Sequence, residues 1–351
     1  MQIGIGMTRR QFLVGAAGAA TVVLVPTSAV GAASPRLRVR ARTTARWAGL
    51  DQSQNVGGPF TPGVADGPVS FVRSDQSWQR DQILMFQMHG NGNTYRHNGA
   101  DLDTLSPGVW CYGPGNSQDD SGYAGIASVV RQPESSALLG FVHQEDHTGS
   151  SPIGSIGLAR NADGLGYQWD HLGTIIRGAE LQSEGFRGAE LPSVVLDGDT
   201  FVMLYGNRFG NGRHGEIRRA TAPVRDDGMP GAWTLHGAAF PIQGDPHFYA
   251  ASPSLRWSTE LETWLCLFAT DRAFRYCTSD DLISWSEPRS VVWYEQQYLA
   301  TSGLRRWYPT LIDPSQDHSG IIGRSGVVVE HQIDIANTSD RGPATSRFVI
   351  R

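Results

Sequence analysis

One short opening recurs five times along this chain and limits its fold more than any other feature. A polar or acidic residue, often with a proline, precedes a Ser or Thr and a β-branched or apolar run. The instances are Asp66-Gly67-Pro68-Val69-Ser70-Phe71, Ile126-Ala127-Ser128-Val129-Val130, Glu190-Leu191-Pro192-Ser193-Val194, Ser252-Pro253-Ser254-Leu255 and Tyr308-Pro309-Thr310-Leu311-Ile312. Ser70, Ser128, Ser193, Ser254 and Thr310 are spaced by 58, 65, 61 and 56 residues. A second strand-like run follows each opening, at Ile83 to Phe86, Leu138 to Val142, Phe201 to Tyr205, Trp264 to Phe268 and Val327 to Val329. Third runs lie at Tyr95 to His97, Ile156 to Ala159, Ile217 to Ala220, Phe274 to Cys277 and Arg347 to Ile350. With room for a fourth strand in most units, the array predicts an all-β chain, a five-bladed β-propeller of four-stranded antiparallel blades. The last unit reaches Arg351 after three strands, so Leu37 to Arg42 is expected to supply its outer strand. An arginine-rich linker is the other reading of that stretch.

Ahead of the repeats, Thr8-Arg9-Arg10-Gln11-Phe12-Leu13 leads into the apolar run Val14 to Val25, with small residues around Ala29 to Ala33. The pattern reads as a twin-arginine-type export signal over residues 1–33, followed by one domain over 34–351. The apolar run is too short to span a bilayer, so a secreted, extracytoplasmic protein without an integral membrane segment is expected, acting as a monomer. The formal net charge is -5 and all 29 basic residues are arginines, spread along the chain, which gives nucleic acid no basic face to bind. Glycine, at 42 residues, suits a turn-rich β architecture. Cys111, Cys266 and Cys277 are too few for a disulfide framework, although the last two could face each other across a hairpin.

Two turn motifs are read as structural. In Thr278-Ser279-Asp280-Asp281-Leu282-Ile283-Ser284-Trp285 and in Asn161-Ala162-Asp163-Gly164 with Trp169, an aspartate can bond amides within the turn while the tryptophan packs over the blade. Asn98-Gly99-Ala100-Asp101-Leu102 is a weaker copy.

In an antiparallel blade the start of strand one and the end of strand two share a face, and these positions define one mouth. There the chain places Asp66 and Glu190, each two residues before a proline, together with His89, His143, Glu145, Asp146, Arg208, Asp271 and Arg272. An acid at the start of an innermost strand is costly to bury unpaired, and only two units carry one. Glycosidic hydrolysis asks for such a pair, one carboxylic acid to protonate the leaving oxygen and one carboxylate to activate water or attack. A third carboxylate beside the acid favours the protonated form by like-charge repulsion, and Asp146 or Asp271 could serve. Trp307, Tyr308 and Tyr249 are candidates for stacking on sugar rings.

These residues resemble the five-bladed glycoside hydrolases that include arabinanases, β-xylosidases and α-arabinofuranosidases. The resemblance rests on Asp66, on Gly188-Ala189-Glu190-Leu191-Pro192-Ser193, on Ser279-x-Asp281-Leu282-x-x-Trp285 and on Arg306-Trp307-Tyr308-Pro309-Thr310. It implies Asp66 as general base, Glu190 as general acid, inversion of configuration, and a plant or bacterial polysaccharide or oligosaccharide as substrate. The family places its third carboxylate at the start of blade two, where this chain has Gly125-Ile126-Ala127-Ser128. Glu145 or Asp146 from the neighbouring strand end then takes that role, or activity has been lost. No cofactor is implied; a single central calcium near His318 or His331 is the one ion such propellers would suggest. Other readings stay open: a non-catalytic carbohydrate-binding propeller, a sialidase-like enzyme, and a transferase or phosphorylase using Arg208, Arg213 and Arg272.

Overall fold

A computed structural model describes residues 37–40, 67–76, 82–89, 92–116, 122–148, 152–208, 215–240, 251–270, 274–293, 304–334 and 341–350. The export segment 1–33, Asp66, Arg213, Tyr249, Asp271 and Arg272 lie outside these, as do the side chains of Arg208, Trp307 and His331.

Strand β1 (Leu37–Arg40) is followed by a first sheet of β2 (Val69–Arg73), β3 (Ile83–Met88), β4 (Thr94–Gly99) and β5 (Val109–Tyr112). The second sheet holds β6 (Tyr123–Arg131), β7 (Leu138–Asp146), β8 (Ile153–Asn161) and β9 (Asp170–Ile176). A short helix, α1 (Gly178–Leu181), leads to the third sheet of β10 (Glu190–Asp197), β11 (Thr200–Arg208), β12 (Gly215–Pro223) and β13 (Thr234–Ala238). The fourth holds β14 (Ala251–Ser258), β15 (Thr263–Ala269), β16 (Phe274–Ser279) and β17 (Arg289–Ser290). After β18 (Val292–Trp293), the fifth is built on β19 (Leu304–Ile312), β21 (Ser325–Asp334) and β22 (Arg341–Ile350), while β20 (Ile321–Ile322) joins the fourth beside β14. Strand β1 pairs antiparallel with β22, from Leu37 opposite Ile350 to Arg40 opposite Arg347. Strand β1 is thus the fourth strand of this sheet, and the two-residue β18 pairs parallel on its far side.

The marker hydroxyls explain why the opening recurs. Ser70 Oγ accepts from Val129 N at 2.9 Å, Ser128 Oγ from Val194 N at 3.1 Å, and Ser193 Oγ from Leu255 N at 3.0 Å. Ser254 Oγ accepts from Leu311 N at 3.0 Å, and Thr310 Oγ1 accepts from Val69 N at 3.3 Å, which returns to the first sheet. Among the described residues no inner strand shares a ladder with the next sheet's inner strand, and the hydroxyl satisfies a buried N–H that would otherwise be orphaned.

The apolar core is divided among the interfaces between successive sheets. Leu84, Phe86, Ile126 and Val142 fill the first, Leu139, Phe141, Val194 and Met203 the second, and Val202, Leu204, Leu255 and Cys266 the third. Leu265, Leu267, Leu311 and Phe348 fill the fourth, and Ile312 and Val329 meet Phe71 and Met85 between the fifth sheet and the first. Sheets packed face to face in this order are a β-propeller arrangement. No described helix is long and apolar enough to cross a membrane.

The turn motifs behave as their chemistry requires. Asp281 Oδ1 accepts from Ile283 N at 2.8 Å and Ser284 N at 2.7 Å, bonds that lower its pKa. Asp163 Oδ1 accepts from Leu165 N, Asp101 Oδ1 accepts from Thr104 N, and Trp169 packs edge-on against Phe86. Cys266 and Cys277 are cross-strand partners in β15 and β16, and both are buried free thiols.

Candidate active site

Four of the five inner strands carry a register irregularity just ahead of the marker hydroxyl, between Ile126 and Ser128, Glu190 and Ser193, Ala251 and Ser254, and Trp307 and Thr310. In the last three, the residue before the proline sits in the left-handed region: Leu191 at φ 49°, Ser252 at φ 53° and Tyr308 at φ 52°. A proline cannot donate to the ladder, and its ring disfavours the right-handed helical region for the residue before it. The backbone kinks here, and the bulge re-aims the residue ahead of it. Glu190 is that residue in the third sheet. It stands opposite Gly206 and is only 5% exposed.

Leu191 meets Met88 from the end of β3 and Ala127 from β6 in one small apolar cluster, with Tyr308 and Tyr123 packed against it. Residues from four sheets thus converge beside Glu190. Gly67, next to Asp66 in sequence, lies against the Met88 side chain.

Gly125, where a third carboxylate was sought at the start of the second sheet, also lies against Met88, which fills the space a side chain there would need. The acids of this sheet come from the end of β7 instead. His143 and Glu145 share one face of β7, as residues two apart on a strand must, and His147 follows just past the strand end. Glu145 Oε1 lies 3.4 Å from His143 Nε2, and Oε2 lies 2.9 Å from His147 Nε2. Tyr123 packs edge-on to His143 and tilted to His147.

Gly154 connects this group to Glu190. It is the cross-strand partner of Glu145, and a Cβ built on it would lie 3.0 Å from Glu190 Cγ and 2.6 Å from Ala189 O. Directly opposite residues in an antiparallel pair point to the same side, about 4.5–5.5 Å apart at Cβ. The two glutamates therefore flank one vacant Cβ position. The approach is fixed by backbone bonds, Gly154 N to Arg187 O at 3.1 Å and Ala189 N to Gly154 O at 2.9 Å.

Other expected residues fall elsewhere. Asp146 Oδ1 accepts from Thr148 N at 2.8 Å and from its Oγ1 at 2.7 Å, closing the turn after β7. His89 lies against Tyr95 with ring centroids 4.4 Å apart, and burial together with the nearby His97 lowers its pKa to about 4. It is a neutral donor and acceptor at pH 7. His318, one of the residues considered for a central ion, accepts at Nδ1 from Gly320 N at 3.0 Å. Among the described residues no group of three His, Cys, Asp or Glu side chains is placed to hold a metal ion. Gly154 and Tyr123 were not singled out from the sequence, since one glycine among 42 carries no signal of a close approach.

Several solved structures share this fold. The chain is similar to the catalytic domain of a GH62 alpha-L-arabinofuranosidase from Coprinopsis cinerea, with TM-score 0.59, 12% identity, and coverage of 90% of this chain and 97% of that one. A thermostable family-43 glycoside hydrolase aligns with TM-score 0.52 and 12% identity over 84% of this chain and 91% of its own. Zg3597, a family 117 glycoside hydrolase produced by Zobellia galactanivorans, gives TM-score 0.55 and 12% identity over 90% of both chains. The fold is that of the β-propeller glycoside hydrolases. No family model and no curated protein matches the sequence.

Proposed function

We propose that the protein is an exported glycoside hydrolase that cuts a plant or bacterial polysaccharide or oligosaccharide on a closed ring of five blades. The observation that carries this reading is Glu190, a buried carboxyl group re-aimed by a strand bulge and set beside a second glutamate across Gly154. Glu190 is the general acid, which donates its proton to the glycosidic oxygen as the bond to the anomeric carbon breaks. Asp66, at the opening of the first unit, is the general base that takes a proton from the attacking water, and inversion of configuration follows. Both assignments rest on the sequence motifs.

Glu145 suits the third-carboxylate role better than Asp146, because Glu145 is the cross-strand partner of Gly154, which approaches Glu190, whereas Asp146, the next residue on the strand, points to the other side and closes a turn with Thr148. The five-blade count is supported by the unbroken circuit of marker hydroxyl bonds. Export by the twin-arginine route is supported by Arg9-Arg10 with Phe12-Leu13, the apolar run Val14 to Val25 and the small residues around Ala29 to Ala33. A non-catalytic glycan-binding propeller is the second reading, favoured by Met88 filling the Gly125 position where the resembled family has an acid.

Reducing-sugar release from a panel of plant and bacterial cell-wall glycans separates the two. The enzyme reading expects release by the wild type and losses of about a thousandfold in Glu190→Gln and Asp66→Asn at unchanged melting temperature. Glycan binding without release assigns the binding module.

A further inference from the structure

Two residues past the marker hydroxyl, four inner strands place an apolar side chain: Val72, Val130, Val195 and Ile312. The fourth sheet places Arg256 there. Its side chain is 4% exposed and reaches across its neighbours: Nε donates to Leu311 O at 2.9 Å in the fifth sheet, while Nη1 donates to Leu255 O at 2.7 Å and to Ser193 Oγ at 3.3 Å in the third. Among the described residues Nη2 has no partner and no carboxylate pairs with the cation. Burial pushes its pKa down to about 9, opposed only by the Cys266 thiol, so it stays charged at neutral pH. A buried charge without a counterion costs several kcal/mol, far more than the valine that serves the same position elsewhere.

The end of the inner strands beside Arg256 is strapped over. Arg73 N donates to Asp317 O at 2.7 Å, Ser319 N to Phe71 O at 3.0 Å, and Trp257 N to Gly320 O at 2.8 Å, so residues 317–320 cross from the first sheet to the fourth. His318 lies in this strap. Because its Nδ1 accepts from Gly320 N, the neutral ring carries its proton on Nε2, and it feels the positive charges of Arg256 and Arg131 as well as the negative charge of Asp317. Arg131 is paired with Asp75 at 2.9 Å, which leaves Arg256 as the uncompensated cation of the group.

We propose that the guanidinium of Arg256 binds a small inorganic anion of the halide class in the space enclosed by the inner strands, with His318 Nε2–H as a second donor. The anion neutralises the buried cation and ties the third, fourth and fifth sheets through one charge. Melting curves in sodium chloride and in sodium gluconate at equal ionic strength test this. The wild type is expected to show a saturable rise of about 3 °C in chloride. Arg256→Met, which restores an apolar side chain as in the other sheets, is expected to show none. Crystals of the wild type soaked in bromide give a second measurement, with an anomalous peak expected beside Nη2. Equal chloride dependence in wild type and variant, no chloride dependence in the wild type, or bromide at surface positions only would each overturn the proposal.

Discussion

Gly154 and Glu190 are fitted to one another, since the place where Gly154 lacks a Cβ lies 3.0 Å from Glu190 Cγ. A methyl group there also meets Ala189 O at 2.6 Å, which is backbone and cannot yield cheaply. Gly154→Ala is therefore expected to shift Glu190 and lower kcat by about 10- to 100-fold, since ångström-scale misplacement of a reacting group has that size of effect. Steady-state kinetics on the best glycan, with a melting curve for each protein, check it; an unchanged kcat would remove Gly154 from the site.

Glu145 and Asp146 are neighbours in sequence with different partners. Glu145→Gln is expected to lower kcat by about a hundredfold and to alter the pH–rate profile. Asp146→Asn is expected to change kcat less than threefold, because its carboxylate closes a turn with Thr148. Equal losses in the two variants would contradict the separation of roles.

Burial and His97 hold His89 near pKa 4, below the ordinary 6.5 that it regains on unfolding. The unfolded chain therefore binds the extra proton first as pH falls. This contribution to stability is complete above about pH 6.5 and is lost between there and pH 4, on the order of 3 kcal/mol at full extent. His89→Gln is expected to melt with a flatter pH dependence across that window, which differential scanning calorimetry at a series of pH values reads.

Ser254 Oγ accepts from the buried N–H of Leu311 across two sheets. Ser254→Ala leaves that donor unsatisfied and is expected to cost about 1–3 kcal/mol, a fall of several degrees in Tm. Its neighbour Ser252 should respond the other way. It holds φ 53° and a buried hydroxyl without a partner among the described residues, so Ser252→Gly is expected to stabilise by about 1 kcal/mol in chemical denaturation.

The repeat was legible because its marker hydroxyls have one job in every sheet, to accept a neighbour's N–H, and that job tolerates only Ser or Thr. Second strands were legible for a similar reason, since each is apolar over a run of several residues. Glu190 stood out because a carboxyl group at that position needs a purpose. Glu145 and Asp146 could not be ranked, because adjacent residues on a strand point to opposite sides and the choice depends on what β8 and the β10 bulge bring near. Arg256 is one of many arginines spread along the chain, and only its equivalence to Val72, Val130, Val195 and Ile312 sets it apart.

Strand β1 lies beside β22, so residues more than 300 positions apart in the chain share one ladder. During synthesis the amino-terminal edge of that ladder must wait, unpaired, until nearly the whole chain has been made. Closure entropy for so long a loop is spent before any contact repays it, which makes this pairing the expected slow step of folding. Until then β22's place is open to any extended segment, so crowded, half-made chains are at risk of exchanging this strand with one another.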